Sequence, residues 1–183
     1  MAFYLNNYTR TDELLAAIND IQYGGHPPNL SAGLNAVRTD IFNASNGARH
    51  DPSVMRLAVV FVTENPSSNR LPTMIEAREA ADMDIGIVTV GVGTFVDRQL
   101  LSSITSYPSS KNLQVVPSVR NVTDLTDSIK RIICSGEPDV LCSFAVFDLL
   151  PGLCLLTYLP VNSTTQIHLV SRNVSFLCAI ASR

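Results

Sequence analysis

From Arg56 to Glu64 the chain sets apolar residues side by side, RLAVVFVTE, instead of alternating them with polar ones. A Val-rich run of this kind suits a strand buried on both faces. IGIVTVGVG (85–93) has the same character, and LQVVPSV (113–119) is a third strand in which Pro117 points to an edge or a bulge. Between these runs the spacing turns helical. Leu14, Leu15, Ile18 and Ile21 make one stripe, behind a Thr11 placed to cap the helix and an acidic first turn at Asp12 and Glu13. Leu30, Leu34, Val37 and Ile41 predict a helix from Leu30 to Phe42. PTMIEAREAADM (72–83) reads as a helix with Pro72 near its first turn, and Asp97 to Thr105 as a short one. Asn121 or Thr123 caps a last helix whose apolar residues are Leu125, Ile129, Ile132 and Ile133. MAFYL at the start reads as a short strand, with Asn6-Asn7 as its turn.

Strands that alternate with helices predict βαβ units and a parallel sheet covered on both faces. The fold class is therefore α/β, a three-layer, doubly wound, mostly parallel sheet. Ligands of such sheets bind beyond the carboxyl ends of the strands. That directs attention to the loops at 23–31, 63–70, 91–97 and 117–123.

The charge is unevenly spread. Of 29 charged residues, only Glu137, Asp139, Asp148, Arg172 and Arg183 lie beyond residue 134. The turn-like run Ser135-Gly136-Glu137-Pro138 separates a domain over 1–134 from a hydrophobic extension over 135–183. A net charge of −3 offers no basic footprint for nucleic acid. VLCSFAVFDLLPGLCLLTYLPV (140–161) is apolar enough to raise a membrane span, but Asp148 and Pro151-Gly152 argue against one. The extension is either unrelated to the domain or supplies short strands, QIHLV and VSFLCAI, that fill space in its sheet.

Little in the chain suggests catalysis. His26, His50 and His168 are scattered, and no P-loop, G-x-S-x-G or H-E-x-x-H occurs. Gly91 and Gly93 give a G-x-G without the third glycine of a dinucleotide site. Cys134, Cys142, Cys154 and Cys178 contain no C-x-x-C pair for zinc. With no nucleophile and base in view, no enzyme is expected. N-x-S/T sequons, the acceptors of N-linked glycans in a secreted glycoprotein, stand at Asn7, Asn29, Asn43, Asn121, Asn162 and Asn173, and such sites also arise by chance.

Five ordered blocks carry a resemblance. They are FYLNNYTRTDELLAAINDI (3–21), YGGHPPNLSAGLNAVR (23–38), FNASNGARHDPSVMRLAVVFVTEN (42–65), GIVTVGVG (86–93) and LLSSITSYPSSKNLQVVPSVRNVTDLTDSIKRIIC (100–134). Together they resemble a von Willebrand factor type A domain of the matrilin- and collagen-like kind. The resemblance implies an extracellular, secreted, non-enzymatic adhesion or matrix module that binds proteins such as collagen. The implied surface is the sheet's upper edge, with His26, Pro28, Asn29, Glu64, Asn65 and Thr94. It also implies a closing Cys at Cys134, free to pair with a cysteine of the extension. The family's first strand, its Asp-x-Ser-x-Ser ligands and the following helix and strand have no counterpart here. A fragment, a truncated gene model or a domain completed by another segment is therefore expected.

Family members often hold a hard divalent cation at that edge. Here the matching Thr aligns with Pro28, which has no hydroxyl, and the Thr-Asp-Gly positions read Thr63-Glu64-Asn65. Glu64 alone is left as a metal ligand, a poor site for an ion that needs several oxygens. No cofactor is therefore expected, and binding would rest on surface complementarity. The alternative is a structural remnant of a multidomain matrix protein with no binding activity of its own.

Overall fold

The chain is described by a computed structural model over residues 3–21, 29–51, 56–63, 69–121, 123–125, 128–129, 142–148, 154–160, 166–170 and 178–182. Its sheet is built on β1 (Arg56–Val62), β2 (Ile85–Val92) and β3 (Leu113–Val116), all parallel. Leu57 to Val62 are all buried, as the unbroken apolar run requires. Successive side chains point to opposite faces. Ala58, Val60, Val62, Ile85 and Ile87 therefore join one core, and Leu57, Val59, Phe61, Val88, Val90 and Val92 the other. On the first face lie α2 (Leu30–Ala36), α3 (Arg70–Asp82) and α4 (Arg98–Ile104), which contribute Leu30, Leu34, Ala77, Ala80, Leu100 and Leu101. On the second face Ile18 of α1 (Thr11–Asn19) packs with Phe3, Ile21 and Ile129. Gly91 leaves room for α4: a Cβ there would stand 2.8 Å from Leu101 Cδ1.

β3 ends at Val116, before Pro117 with its missing N–H, and forms the edge of the sheet. Beyond β1 the sheet continues with β7 (Cys178–Ser182) and then β6 (Gln166–Val170), in the order β3-β2-β1-β7-β6. β7 pairs antiparallel with β1, Arg56 opposite Ser182, and β6 pairs antiparallel with β7. QIHLV and part of VSFLCAI thus extend the sheet at the outer edge of β1. β4 (Cys142–Asp148) and β5 (Cys154–Pro160) pair with each other in a separate two-stranded sheet. A short α5 (Ser109–Asn112) precedes β3. Among the described residues no helix is long and apolar enough to cross a membrane.

Three local expectations are corrected. Residues 3–5 form no strand, because Asn7 Oδ1 accepts the Tyr4 amide at 2.6 Å and Asn7 N donates to Tyr4 O at 3.2 Å, which closes a turn. Thr11 does not cap α1. The N-cap is Arg10, without a side-chain cap bond, and its guanidinium turns to Asp12 instead. The helix over 30–42 is not uniform: it widens into a π-helix over Val37–Ile41, closed by Phe42 N to Val37 O at 3.0 Å. The wider turn lets Val37, Ile41 and Phe42 all reach the core. The last helix is entered through 3-10 turns at Val119–Asn121 and Thr123–Leu125; Ser128 and Ile129 are helical, with Ile129 buried as its stripe predicts, and Ile132, Ile133 and Cys134 lie outside the described residues.

The exposed Arg10–Asp12 pair has a pH consequence. The Arg10 guanidinium, more than any other group, holds the Asp12 carboxyl below its ordinary range. A carboxylate lowered in this way favours the folded chain above its ordinary pKa, and that contribution is lost as pH falls through the folded value. In Arg10→Ala the Asp12 titration followed by NMR should move up towards the ordinary aspartate range. An unmoved midpoint would assign the shift to the helix dipole instead.

α3 is packed with its large residues outward. Its buried side chains are Thr73, Ala77 and Ala80, while Leu71, Met74 and Ile75 face solvent. Small inward residues let the helix lie close to the sheet. Laterally it is tied by polar bonds to α2 and to the π-helix that continues it. Arg38 Nη2 reaches Glu76 at 3.1 Å and Glu79 at 2.7 Å, and Asn35 Nδ2 donates to both Glu76 oxygens.

Candidate functional site

The parallel strands all point their carboxyl ends at one edge, where the loops into α3 and α4 begin. Asn29 stands at the start of α2 in extended conformation. Its Oδ1 accepts from Ala32 N at 3.0 Å and Ser31 Oγ at 2.9 Å, and lies 3.5 Å from Asn69 Nδ2 at the start of α3. Next to Asn69, Arg70 donates from Nη1 to Asp97 Oδ2. Asp97 also caps α4 through Oδ1, which accepts Leu100 N at 3.0 Å. A row of polar bonds therefore links the starts of α2, α3 and α4 across the edge. Gly93 (φ +114°) turns the chain out of β2 and donates its N–H to Val116 O at 2.8 Å. Past it, Thr94 and Phe95 project, Phe95 with 87% of its surface exposed. Leu71, beside Arg70, is 67% exposed.

Of the residues expected at this edge, Asn29 and Thr94 are placed there. His26, Pro28, Glu64 and Asn65 lie outside the described residues. The Arg70–Asp97 pair and the exposure of Phe95 and Leu71 were not legible beforehand. The pair joins residues 27 positions apart, and no local pattern announces it.

A hard cation needs several oxygens converging on one point. Among the described residues no group of three or more His, Cys, Asp or Glu side chains could hold one. Asp97, the carboxylate at the centre of this edge, is committed to a guanidinium and to a helix cap. The described residues of this edge hold no such group. They make a neutralised polar seam with apolar side chains standing out of it.

The two roles of Asp97 separate by mutation. Asp97→Ala should cost about 1–2 kcal/mol in urea unfolding, since cap and ion pair both go. Asp97→Asn should cost clearly less, because the amide oxygen still accepts Leu100 N. Equal losses would mean that the pair with Arg70 dominates.

Residues 1–128 match the model of the von Willebrand factor type A domain. Mouse (Mus musculus) Matrilin-1 is 24% identical over 140 residues, 76% of this chain and 27% of that protein. Mouse Matrilin-4 is 28% identical over 136 residues, 74% of this chain and 21% of that protein. The chain thus spans about a quarter of the curated relatives it matches. Among solved structures, proximal thread matrix protein 1 from the mussel byssus, with a zinc occupied MIDAS motif, superposes with a TM-score of 0.64 at 20% identity. That match covers 73% of this chain and 33% of the mussel chain, and speaks for the fold. The parallel sheet, its helical layers on both faces and the match over residues 1–128 lead to one conclusion: the chain belongs to the von Willebrand factor type A domain family.

Proposed function

We propose that the chain is a non-enzymatic module of the extracellular matrix that binds another matrix protein, a collagen among the candidates, through the upper edge of its sheet. The kinship to matrilins, which are matrix proteins, supports the setting. The observation that carries the reading is the exposure of Phe95 and Leu71 on either side of the Arg70–Asp97 pair. Aromatic side chains and arginine are enriched where proteins meet, and a few such anchors supply most of the affinity. Asn29 and Thr94 border these anchors, and His26, Pro28, Glu64 and Asn65 belong to the adjoining loops. Contact is by surface complementarity, without a bridging cation. A partner carboxylate brought to Glu64 without a cation would be repelled, so the partner is expected to present apolar and neutral groups there.

Binding of the full chain to immobilised collagens and other matrix proteins, with and without a chelator, tests this. Binding should survive the chelator. Phe95→Ala should weaken it roughly 30-fold, the loss of one anchor worth about 2 kcal/mol. Binding abolished by the chelator, or indifferent to Phe95, would overturn the reading.

A further inference from the structure

We infer that Asn29 carries an N-linked glycan, and that this sugar shields the upper edge. Asn29-Leu30-Ser31 is a sequon, and Asn29 is exposed on the outer surface. The hydrogen bonds of its side chain all use Oδ1, which caps α2 and faces Ser31 and Asn69. Nδ2, the atom that would bear the sugar, has no partner among the described residues. Glycosylation replaces one Nδ2 hydrogen and leaves Oδ1 as it is. The modified residue can therefore keep its helix cap.

The other described sequons are less well placed. Asn43 donates from Nδ2 to Thr39 O at 3.3 Å, and Asn121 from Nδ2 towards Asp124 at 3.4 Å while half-buried. Asn7 shares the geometry of Asn29, with Oδ1 engaged by Tyr4 N and Nδ2 unpartnered among the described residues, but its own bond is to Tyr4 and that of its neighbour Asn6 to Ser45, neither of them in α3 or α4. Asn29 alone of the four bonds a residue at the start of α3.

The transfer is a substitution. Nδ2 bonds to C1 of the first sugar of a lipid-linked oligosaccharyl diphosphate. The C1–O bond to the diphosphate breaks, the diphosphate leaves with the bonding pair, and the displaced amide proton passes to solvent. Nothing is oxidised or reduced.

Shielding follows from scale. A stable interface covers about 800 Å² on each partner, a disc roughly 16 Å in radius. Centred on Arg70 and Phe95, such a disc takes in Asn29, which touches the residue next to Arg70. A hydrated, mobile oligosaccharide there competes for the same area. This part rests on the matrix-docking reading; the occupancy of Asn29 does not.

The full chain should be expressed through the secretory pathway of a eukaryotic cell and its peptides mapped by mass before and after enzymatic removal of N-glycans. The Asn29 peptide should carry sugar and appear as aspartate after removal. Ser31→Ala, which keeps the cap from Ala32 N, should abolish that glycan alone. Both deglycosylated wild type and Ser31→Ala should bind immobilised matrix protein more tightly than the glycosylated chain. An unmodified Asn29 peptide in the secreted chain overturns the proposal. A modified Asn29 with unchanged binding overturns the shielding. A modified Asn29 in a chain that binds no matrix protein in either form sinks the docking reading, and the shielding with it, while the occupancy stands.

Discussion

Gly47→Ala should lower the stability of the domain by about 2–5 kcal/mol, from two sources that add. Gly47 sits at φ +93°, where an L side chain costs about 1–2 kcal/mol. Its missing Cβ would also stand 2.9 Å from Asn6 N and 3.1 Å from Leu5 C, both backbone atoms that no rotamer change can move. Overpacking of that kind costs about 1–3 kcal/mol. The segment pushed aside holds Leu5, 1% exposed and part of the core that includes Leu34 and Phe42. A domain with a total stability of about 5–15 kcal/mol would be left marginal. The check is the urea midpoint followed by circular dichroism. A change below about 0.5 kcal/mol, the range of an ordinary surface substitution, would mean that residues 5–6 and 47 are not in contact.

Phe42→Ala should cost about 3–5 kcal/mol. Phe42 is 1% exposed and, among the described residues, leads the fully buried side chains in volume. It closes the π-helix, so the backbone that presents it is fixed by its own hydrogen bond to Val37. The cavity cannot easily collapse, because Val37 and Ile41 on the same turn are already buried. With a urea dependence of about 1–3 kcal/mol per molar, the midpoint should fall by about 1 M or more. Phe42→Leu, which keeps most of the volume, should lose much less. Equal losses for the two would point to a change in the π-turn rather than to the cavity.

How far the residues alone could lead depends on the range of each interaction. β1 and β2 were legible because burial on both faces leaves a continuous apolar run, and each strand closes within two residues of its expected end. α4 was legible because Asp97 is both a good cap and immediately precedes the helix. α3 was found through its helix-forming residues, yet its buried face was not, since Thr73, Ala77 and Ala80 give almost no hydrophobic signal. The turn at residues 3–7 imitates a strand in sequence, because Phe3 and Leu5 alternate with Tyr4 as a strand's residues do. In fact they are buried in different cores. The π-helix was invisible because steps of four, three and four fit an α-helix equally well. At the upper edge, the positions taken from the family resemblance fall mostly in segments 22–28 and 64–68, outside the described residues. What stands there instead depends on pairs such as Arg70–Asp97 that only folding brings together.

The outward face of α3 has a chemical consequence. Met74 and Met83, in α3 and at its C-terminal end, are 40% and 38% exposed, while the helix rests on the sheet through residues without sulfur. An oxidant in the surroundings therefore meets these thioethers before it meets the core. Conversion to the sulfoxide makes a flexible apolar side chain polar, and it is reversible by reductases. The change would leave the packing of Thr73, Ala77 and Ala80 untouched. It would make the surface shared with Leu71 and Ile75 more polar. The helix can thus record oxidative exposure on its surface while the domain beneath it stays folded.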